Sequence, residues 1–308
     1  MKATVYKSTG SWYITKTEEG NFFNSRIKGV FKIDGITSTN PLAVGDVVEL
    51  EFENDADQTA MITEILPRKN YITRQSPSHK MQHHIIAANL DQSVMFATLR
   101  EPRTSQGFID RFLVTCEAYH VPAIIVFNKT DLYRKKEQQK FDDLYHMYTS
   151  IGYKVFGMSV EKGDGIDNLK QQLQNKITLM SGHSGVGKSS FLNKVFPDFK
   201  LKTQDVSGWS GKGMHTTTFA EMFDLPFGGA VIDTPGMREF GIVDVSKQEL
   251  SHYFPEMRKL LNECHFNDCL HTNEPGCAIK KAVEDGRIDA ERYISYWNIL
   301  DSFDDVYR

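Results

Sequence analysis

Four residues, Asn128, Lys129, Thr130 and Asp131, stand upstream of the string Gly-His-Ser-Gly-Val-Gly-Lys-Ser at 182–189. That order constrains the fold more than anything else in the 308-residue chain. The second string fits G-x-x-x-x-G-K-[ST]. In such a loop the backbone around Gly182, His183, Ser184, Gly185, Val186 and Gly187 wraps phosphates, Lys188 begins the following helix and reaches the terminal ones, Ser189 ligates Mg²⁺, and Ser190 is expected among the GTP-binding residues. The first string has the Asn-Lys-x-Asp form. Its Asp131 carboxylate accepts from the N1–H and exocyclic N2–H₂ of guanine, which adenine does not offer, and a mismatched base leaves buried polar groups unpaired. Further on, Asp-Thr-Pro-Gly at 233–236 follows the apolar run 230–232. There Asp233 is expected to hold Mg²⁺ through water, with Gly236 closing the loop. Guanine-nucleotide hydrolases ordinarily present the phosphate loop, then Asp-x-x-Gly, then Asn-Lys-x-Asp. With the last string first, the domain reads as a circular permutation.

Each string alone has a plain reading, since Asn-Lys-Thr-Asp and Asp-Thr-Pro-Gly are both good turn chemistry. Their common setting is what adds weight. Residues 123–127, 177–180 and 230–232 are apolar, strand-like runs that each lead into one of the three loops. Ligands of a parallel α/β sheet bind at the carboxyl ends of its strands, so the loops are expected to meet in one crevice.

Around this centre the chain divides into four expected parts. Residues 1–66 carry β-branched and aromatic residues at strand spacing in 11–17, 22–26, 44–52 and 59–65, with turn signals at Gly10, Gly20, Gly35 and Gly45. That pattern suits a small OB-type β-barrel. Residues 67–84 form a basic linker holding Arg68, Lys69, Arg74, Lys80 and three histidines without an acid. It reads equally well as a spacer or as a strap for phosphates. Residues 85–243 alternate strands (93–99, 123–127, 154–158) with helices (108–119, 137–151, 166–174), as a parallel sheet covered on both faces does. Residues 244–308 read as a mainly helical zinc-binding domain. Net charge is −4, so the chain is no polycation and nucleic-acid contact must be local. The absence of a long apolar stretch and of a leader points to a soluble cytoplasmic protein with no membrane partner.

The zinc expectation rests on Cys264, Cys269, His271 and Cys277. Three of the four cysteines in the chain and one imidazole lie within fourteen residues, the ligand number and softness of a closed tetrahedral, structural site for one Zn²⁺. His265 is an alternative ligand, though it adjoins Cys264. Cys116, among Phe112, Leu113 and Tyr119, reads as a core thiol.

Taken together, these residues resemble the circularly permuted GTPases that depend on the small ribosomal subunit, the RsgA or YjeQ family. The barrel, the order of the loops and the C-x4-C-x-H-x5-C string carry the likeness. So do residues 86–92 and the string Gly213-Met214-His215-Thr216-Thr217-Thr218, where relatives have arginine in place of Met214. The resemblance implies a monomeric GTP hydrolase that binds GTP and GDP. It also implies docking on the small subunit and its rRNA during late assembly, stimulation by that subunit, and departure on hydrolysis. The different reading is a nucleotide-regulated RNA- or translation-factor-binding module in which turnover is incidental. The guanine base is further expected to meet the backbone at Ser159 and Val160. Thr217, chosen among three adjacent threonines, is expected to close on Mg²⁺. Where many GTPases carry a water-orienting glutamine after the Asp-x-x-Gly glycine, this chain has Met237, so intrinsic turnover is expected to be slow. That leaves Lys188, Thr217 and His215 as the catalytic candidates, with His215 placed to orient water.

Overall fold

The computed structural model describes residues 1–28, 41–54, 58–75, 83–196, 220–234 and 245–303. At its N-terminal end, β1 (Lys2–Ser8), β2 (Tyr13–Thr17), β3 (Phe22–Ile27), β4 (Val47–Asn54) and β5 (Thr59–Ile65) are joined in the order β1-β2-β3-β5-β4. A further pairing of β4 with β1 closes the ring. β3 and β5 run parallel and the remaining pairs antiparallel. This is the five-stranded OB-type barrel expected from the sequence. Strand alternation turns Val5, Tyr13, Val48, Leu50, Ala60 and Ile62 into one core. Of the five strands, β1 is the one absent from the sequence-based expectation.

The next strands, β6 (Tyr71–Gln75) and β7 (His83–Ala88), form an antiparallel pair of their own. Two cations of the basic stretch are paired here, Arg68 in the interior and Lys69 at the surface. Arg68 donates from Nε and Nη2 to the two carboxylate oxygens of the buried Asp46, both at 2.6 Å. Lys69 pairs with Asp91 at 2.7 Å. Gly45 sits where a Cβ would come within 2.1 Å of the Ala88 carbonyl, and its φ of +93° favours glycine as well. The barrel is thereby seated closely on the end of β7.

The central region contains β8 (Gln92–Ala97), α1 (Gln106–Ala118), β9 (Ala123–Phe127), α2 (Lys135–Ile151), β10 (Lys154–Gly157), α3 (Ile166–Leu173), β11 (Ile177–Ser181), α4 (Lys188–Val195), β12 (Glu221–Asp224) and β13 (Ala230–Asp233). Its strand order is β10-β9-β8-β11-β13-β12, parallel throughout except for β12. Strands covered on both faces need apolar residues at every position rather than alternate ones, and all six residues of β8 are buried. One face packs on α1 and α2 through Phe112, Leu113, Leu144 and Tyr148, and the other on α3 and α4 through Leu169, Leu173, Phe191 and Leu192. Because β12 also pairs with β1, with Lys7 opposite Glu221, the barrel and the central sheet share one run of eleven strands.

The C-terminal region adds α5 (Pro255–Arg258), α6 (Ala278–Glu284) and α7 (Ala290–Ser302). Asp289 caps α7 by accepting from the Glu291 and Arg292 amides. The region rests on α1, whose Val114 joins the apolar core made by Leu250, Phe254, Met257, Ile279 and Ile299. At the centre of the contact the fully buried Arg292 donates to Asp110 of α1 at 2.7 Å and to both oxygens of Glu256 at 2.7 and 3.2 Å. Tyr148 of α2 donates to the same Asp110 oxygen at 2.7 Å. Charges this deep persist only when paired, so the four residues behave as one unit.

Candidate nucleotide site and metal centre

Asn128 follows β9 and is 2 % exposed. Its Nδ2 donates to the Val186 carbonyl of the phosphate loop at 2.8 Å, and its Oδ1 accepts from the Val160 amide at 3.2 Å. One side chain thus ties together three loops that lie far apart in the sequence. Gly187 makes the approach possible, since a Cβ there would sit 2.2 Å from Asn128 Nδ2. Ser159 donates to Asp131 Oδ1 at 2.5 Å and accepts from the Lys162 amide at 3.1 Å, which fixes the carboxylate at the rim of the crevice. Lys129, in the left-handed region with φ of 64°, extends its ammonium to the Glu101 carbonyl at 2.5 Å.

The phosphate loop leaves β11 between its neighbours β8 and β13. Gly182 passes so close to β8 that a Cβ would lie 2.3 Å from the Phe96 carbonyl, while Val186 is buried in the core as the loop's anchor. Ser184 and Gly185 are exposed, and Ser189 and Ser190 are half-buried in the first turn of α4. Lys188 folds back to donate to the Gly182 carbonyl at 2.5 Å and the His183 carbonyl at 3.1 Å. Burial pushes its ammonium pKa down, and the charge of Asp233 partly opposes that shift. A tethered, poorly solvated cation at a helix N-terminus suits an incoming phosphate.

Asp233 ends β13, opposite Met180 of β11. Burial raises its carboxyl pKa, with Lys188 acting in the other direction. Its Oδ1 is buried and has no hydrogen-bond partner among the described residues, a donor chemistry that fits a hydrated Mg²⁺. Gly236, His215 and Thr217 lie outside the described residues, as does Met237.

Two contacts of the phosphate loop have no counterpart among the sequence-based expectations. The His183 ring stacks on Phe108 of α1, centroids 3.7 Å apart, and Pro102 would touch a Cβ on Gly185 at 3.5 Å. Phe108 falls on the apolar period of its helix, so no sequence signal separates it from a core residue.

In the C-terminal region the ligand atoms of Cys264, Cys269, His271 and Cys277 all lie within 4.8 Å of one another. His271 Nδ1 is 3.6 Å from Cys264 Sγ and 3.4 Å from Cys277 Sγ. Ideal tetrahedral zinc would separate nitrogen and sulfur ligands by about 3.6 Å. Burial pushes the Cys269 thiol up to about 12, and the neighbouring sulfurs add to the shift. Such crowded, neutral thiols are the kind a divalent cation stabilises as thiolates. The donor set therefore fits one Zn²⁺. His265 stands apart from the group, its ring against Phe266. Around the cluster Tyr293 and Tyr296 of α7 donate to the carbonyls of His271 and Leu270 at 2.5 and 2.8 Å, and Glu274 accepts from the Leu270 and Thr272 amides.

Comparison with known proteins agrees with this geometry. Residues 65–243 match the family described as RsgA GTPase, and residues 2–62 match the RsgA N-terminal domain. A protein of Flavobacterium psychrophilum named small ribosomal subunit biogenesis GTPase RsgA is 50% identical over 100% of this chain and 95% of its own length. A Bacteroides thetaiotaomicron relative, named small ribosomal subunit biogenesis GTPase RsgA 2, is also 50% identical, over 98% and 96%. Among solved structures, YjeQ from Thermotoga maritima superimposes with a TM-score of 0.78 at 34% identity, covering 98% of this chain and 97% of that one. YloQ, described as a circularly permuted GTPase, gives 0.75 at 29% identity, covering 99% and 95%.

Proposed function

The chain belongs to the RsgA GTPase family, and from that premise we propose that it hydrolyses GTP as a step in maturing the small ribosomal subunit, binding the subunit through its rRNA. The observation that carries this reading is Asn128, whose side chain holds the guanine loop, the 159–160 loop and the phosphate loop in one crevice.

In this reading Asp131 accepts from the guanine edge while Ser159 keeps it aimed, and the Val160 amide borders the base. Phosphates displace the carbonyls that Lys188 now holds, and its ammonium then neutralises them together with the loop amides. Ser189, Thr217 and, through water, Asp233 would hold Mg²⁺, which would supply charge neutralisation for the phosphates when bound. His215 orients the attacking water, a role that Met237 does not fill. Zn²⁺ is held by Cys264, Cys269, His271 and Cys277 as a structural ion, since four protein ligands leave no open position. The working unit is a cytoplasmic monomer. Among the described residues no helix is long and apolar enough to cross a membrane.

Two binding assays test the proposal together. Labelled GTP should be displaced by GTP and GDP but not by ATP, and the protein should co-sediment with purified small subunits in preference to large ones. Displacement by ATP as effective as by GTP, or equal recovery with both subunits, would overturn it.

A further inference from the structure

We infer that a basic ridge beside the guanine loop, formed by the 98–106 segment and the first turns of α2, is a docking surface for the phosphate backbone of RNA. The choice of RNA as occupant rests on the ribosomal reading above. The existence of the ridge rests on the structure.

The two segments meet side by side. Lys140 of α2 reaches Gln106 at the start of α1 at 3.5 Å, and Arg100 donates to the Leu132 carbonyl just before α2 at 3.4 Å. Lys129 of the guanine loop is tied to the Glu101 carbonyl of the same segment. On this ridge Arg103, Arg134, Lys135, Lys136 and Lys140 are all exposed. Among the described residues none of the five has a carboxylate at ion-pair distance, whereas Lys28, Lys69, Arg258 and Arg287 elsewhere on the surface each have one. The concentration stands out in a chain of net charge −4.

Local helix physics argues against a purely structural origin. Lys135 and Lys136 occupy the first turn of α2, where the helix dipole favours acids and disfavours cations. The one acid there, Glu137, accepts from the Arg134 amide and so serves as a cap. A sequence that breaks a local rule with no return in packing points to function. Exposed lysines and arginines gathered at the start of one helix and on an adjoining loop, with no carboxylate at ion-pair distance among the described residues, complement a regular polyanion, and counterion release supplies the affinity. Docked there, the backbone would lie three to nine residues past Asp131, in contact with the segment that holds Lys129 in place.

The test uses the full-length protein and the triple variant Lys135→Ala, Lys136→Ala, Lys140→Ala. None of these residues belongs to the nucleotide site, so GTP affinity and subunit-free turnover should be unchanged, which also reports on folding. Binding to purified small subunits and to an RNA duplex of about 20 base pairs is measured across a salt series. The variant should lose about tenfold or more in affinity at low salt, and the slope of log K against log salt should fall by roughly 2. Unchanged affinity and slope with subunits would remove the ridge from the interface and leave the ribosomal reading standing. If the wild-type chain ignores subunits yet binds the duplex with a slope the variant reduces, the ribosomal reading fails and the ridge stands. Weakened subunit binding with duplex binding intact would mean that the ridge meets an acidic protein surface, and slowed GTP association with both RNA affinities intact would assign it to nucleotide capture. Either result overturns the proposal.

Discussion

At the scale of the residue, the site depends on a few side chains that each do two things. Asn128 ties two other loops to its own, and Ser159 both shapes its own turn and fixes Asp131. The Asn128–Asp131 string was readable from its setting after an apolar strand, whereas the Ser159 side-chain bond to Asp131 was not. Phe108 was not legible, because an aromatic at helical spacing looks the same whether it packs in a core or against a phosphate loop. Two outcomes are expected at this scale. Asp131→Asn should weaken GTP by roughly a hundredfold or more, as loss of charge-assisted bonds does, and should favour xanthine nucleotide in a competition assay. Unaltered GTP affinity would take Asp131 out of the site. Asp233 carries the pH prediction. Its folded-state pKa lies above the usual carboxylate value, chiefly because it is buried, so as pH falls it becomes neutral earlier than a free aspartate would. Mg²⁺-dependent GTP binding should therefore decline from a higher pH than an ordinary carboxylate would set. In the nucleotide-free protein the same shift makes the ionised form a cost at neutral pH that protonation relieves. Asp233→Asn should remove that acid limb and weaken Mg²⁺–GTP about tenfold at neutral pH, the scale of a lost outer-shell metal contact. A pH profile of GTP affinity identical to wild type would contradict this.

At the scale of the element, α1 is the part whose importance the sequence hid. Its N-terminal turn meets the phosphate loop through Phe108 and His183, and its next turns carry Asp110 and Val114 into the C-terminal region. The sequence showed a helix here, but neither partner, because Asp110 and Arg292 are 182 positions apart. Both charged side chains are fully buried in their pair, which only the tertiary structure brings about. Arg292→Ala should cost about 3–5 kcal/mol, since it leaves two carboxylates uncompensated. A loss of unfolding free energy, measured by chemical denaturation, of less than a third of that would mean the pair is dispensable. The Cys264, Cys269, His271 and Cys277 cluster, in contrast, was plain in the spacing of its cysteines. Removing the metal by chelation, or replacing Cys269 and Cys277 together by serine, should loosen the C-terminal region to proteolysis while GTP binding persists. Full zinc retention in the double variant, or no zinc in the wild-type protein by metal analysis, would contradict the site.

At the scale of the whole molecule, the permutation joins the nucleotide site to both flanking regions. The barrel is fused to the central sheet through β12, a four-residue strand with Glu221 and Asp224 at its ends. Those acids accept from Lys7 at 2.8 Å and from Lys16 at 2.5 Å and Tyr6 at 2.6 Å on the barrel. So short and acidic a segment gives no strand signal on its own. The fold class was legible in the order of the motifs, while the seams between regions were not. In the reading proposed above, the chain would turn GTP over slowly by itself and gain rate when the small subunit is bound, with His215 as the proposed water-positioning residue in that complex. Steady-state GTP turnover with purified small subunits, with large subunits and with neither tests this most directly, run in parallel on wild type and His215→Ala. The account predicts marked stimulation by small subunits alone, and a His215→Ala protein that binds GTP normally yet loses most of that stimulation. Equal turnover in all three conditions would contradict the central claim. Full stimulation of His215→Ala would move water positioning to another residue or to the partner.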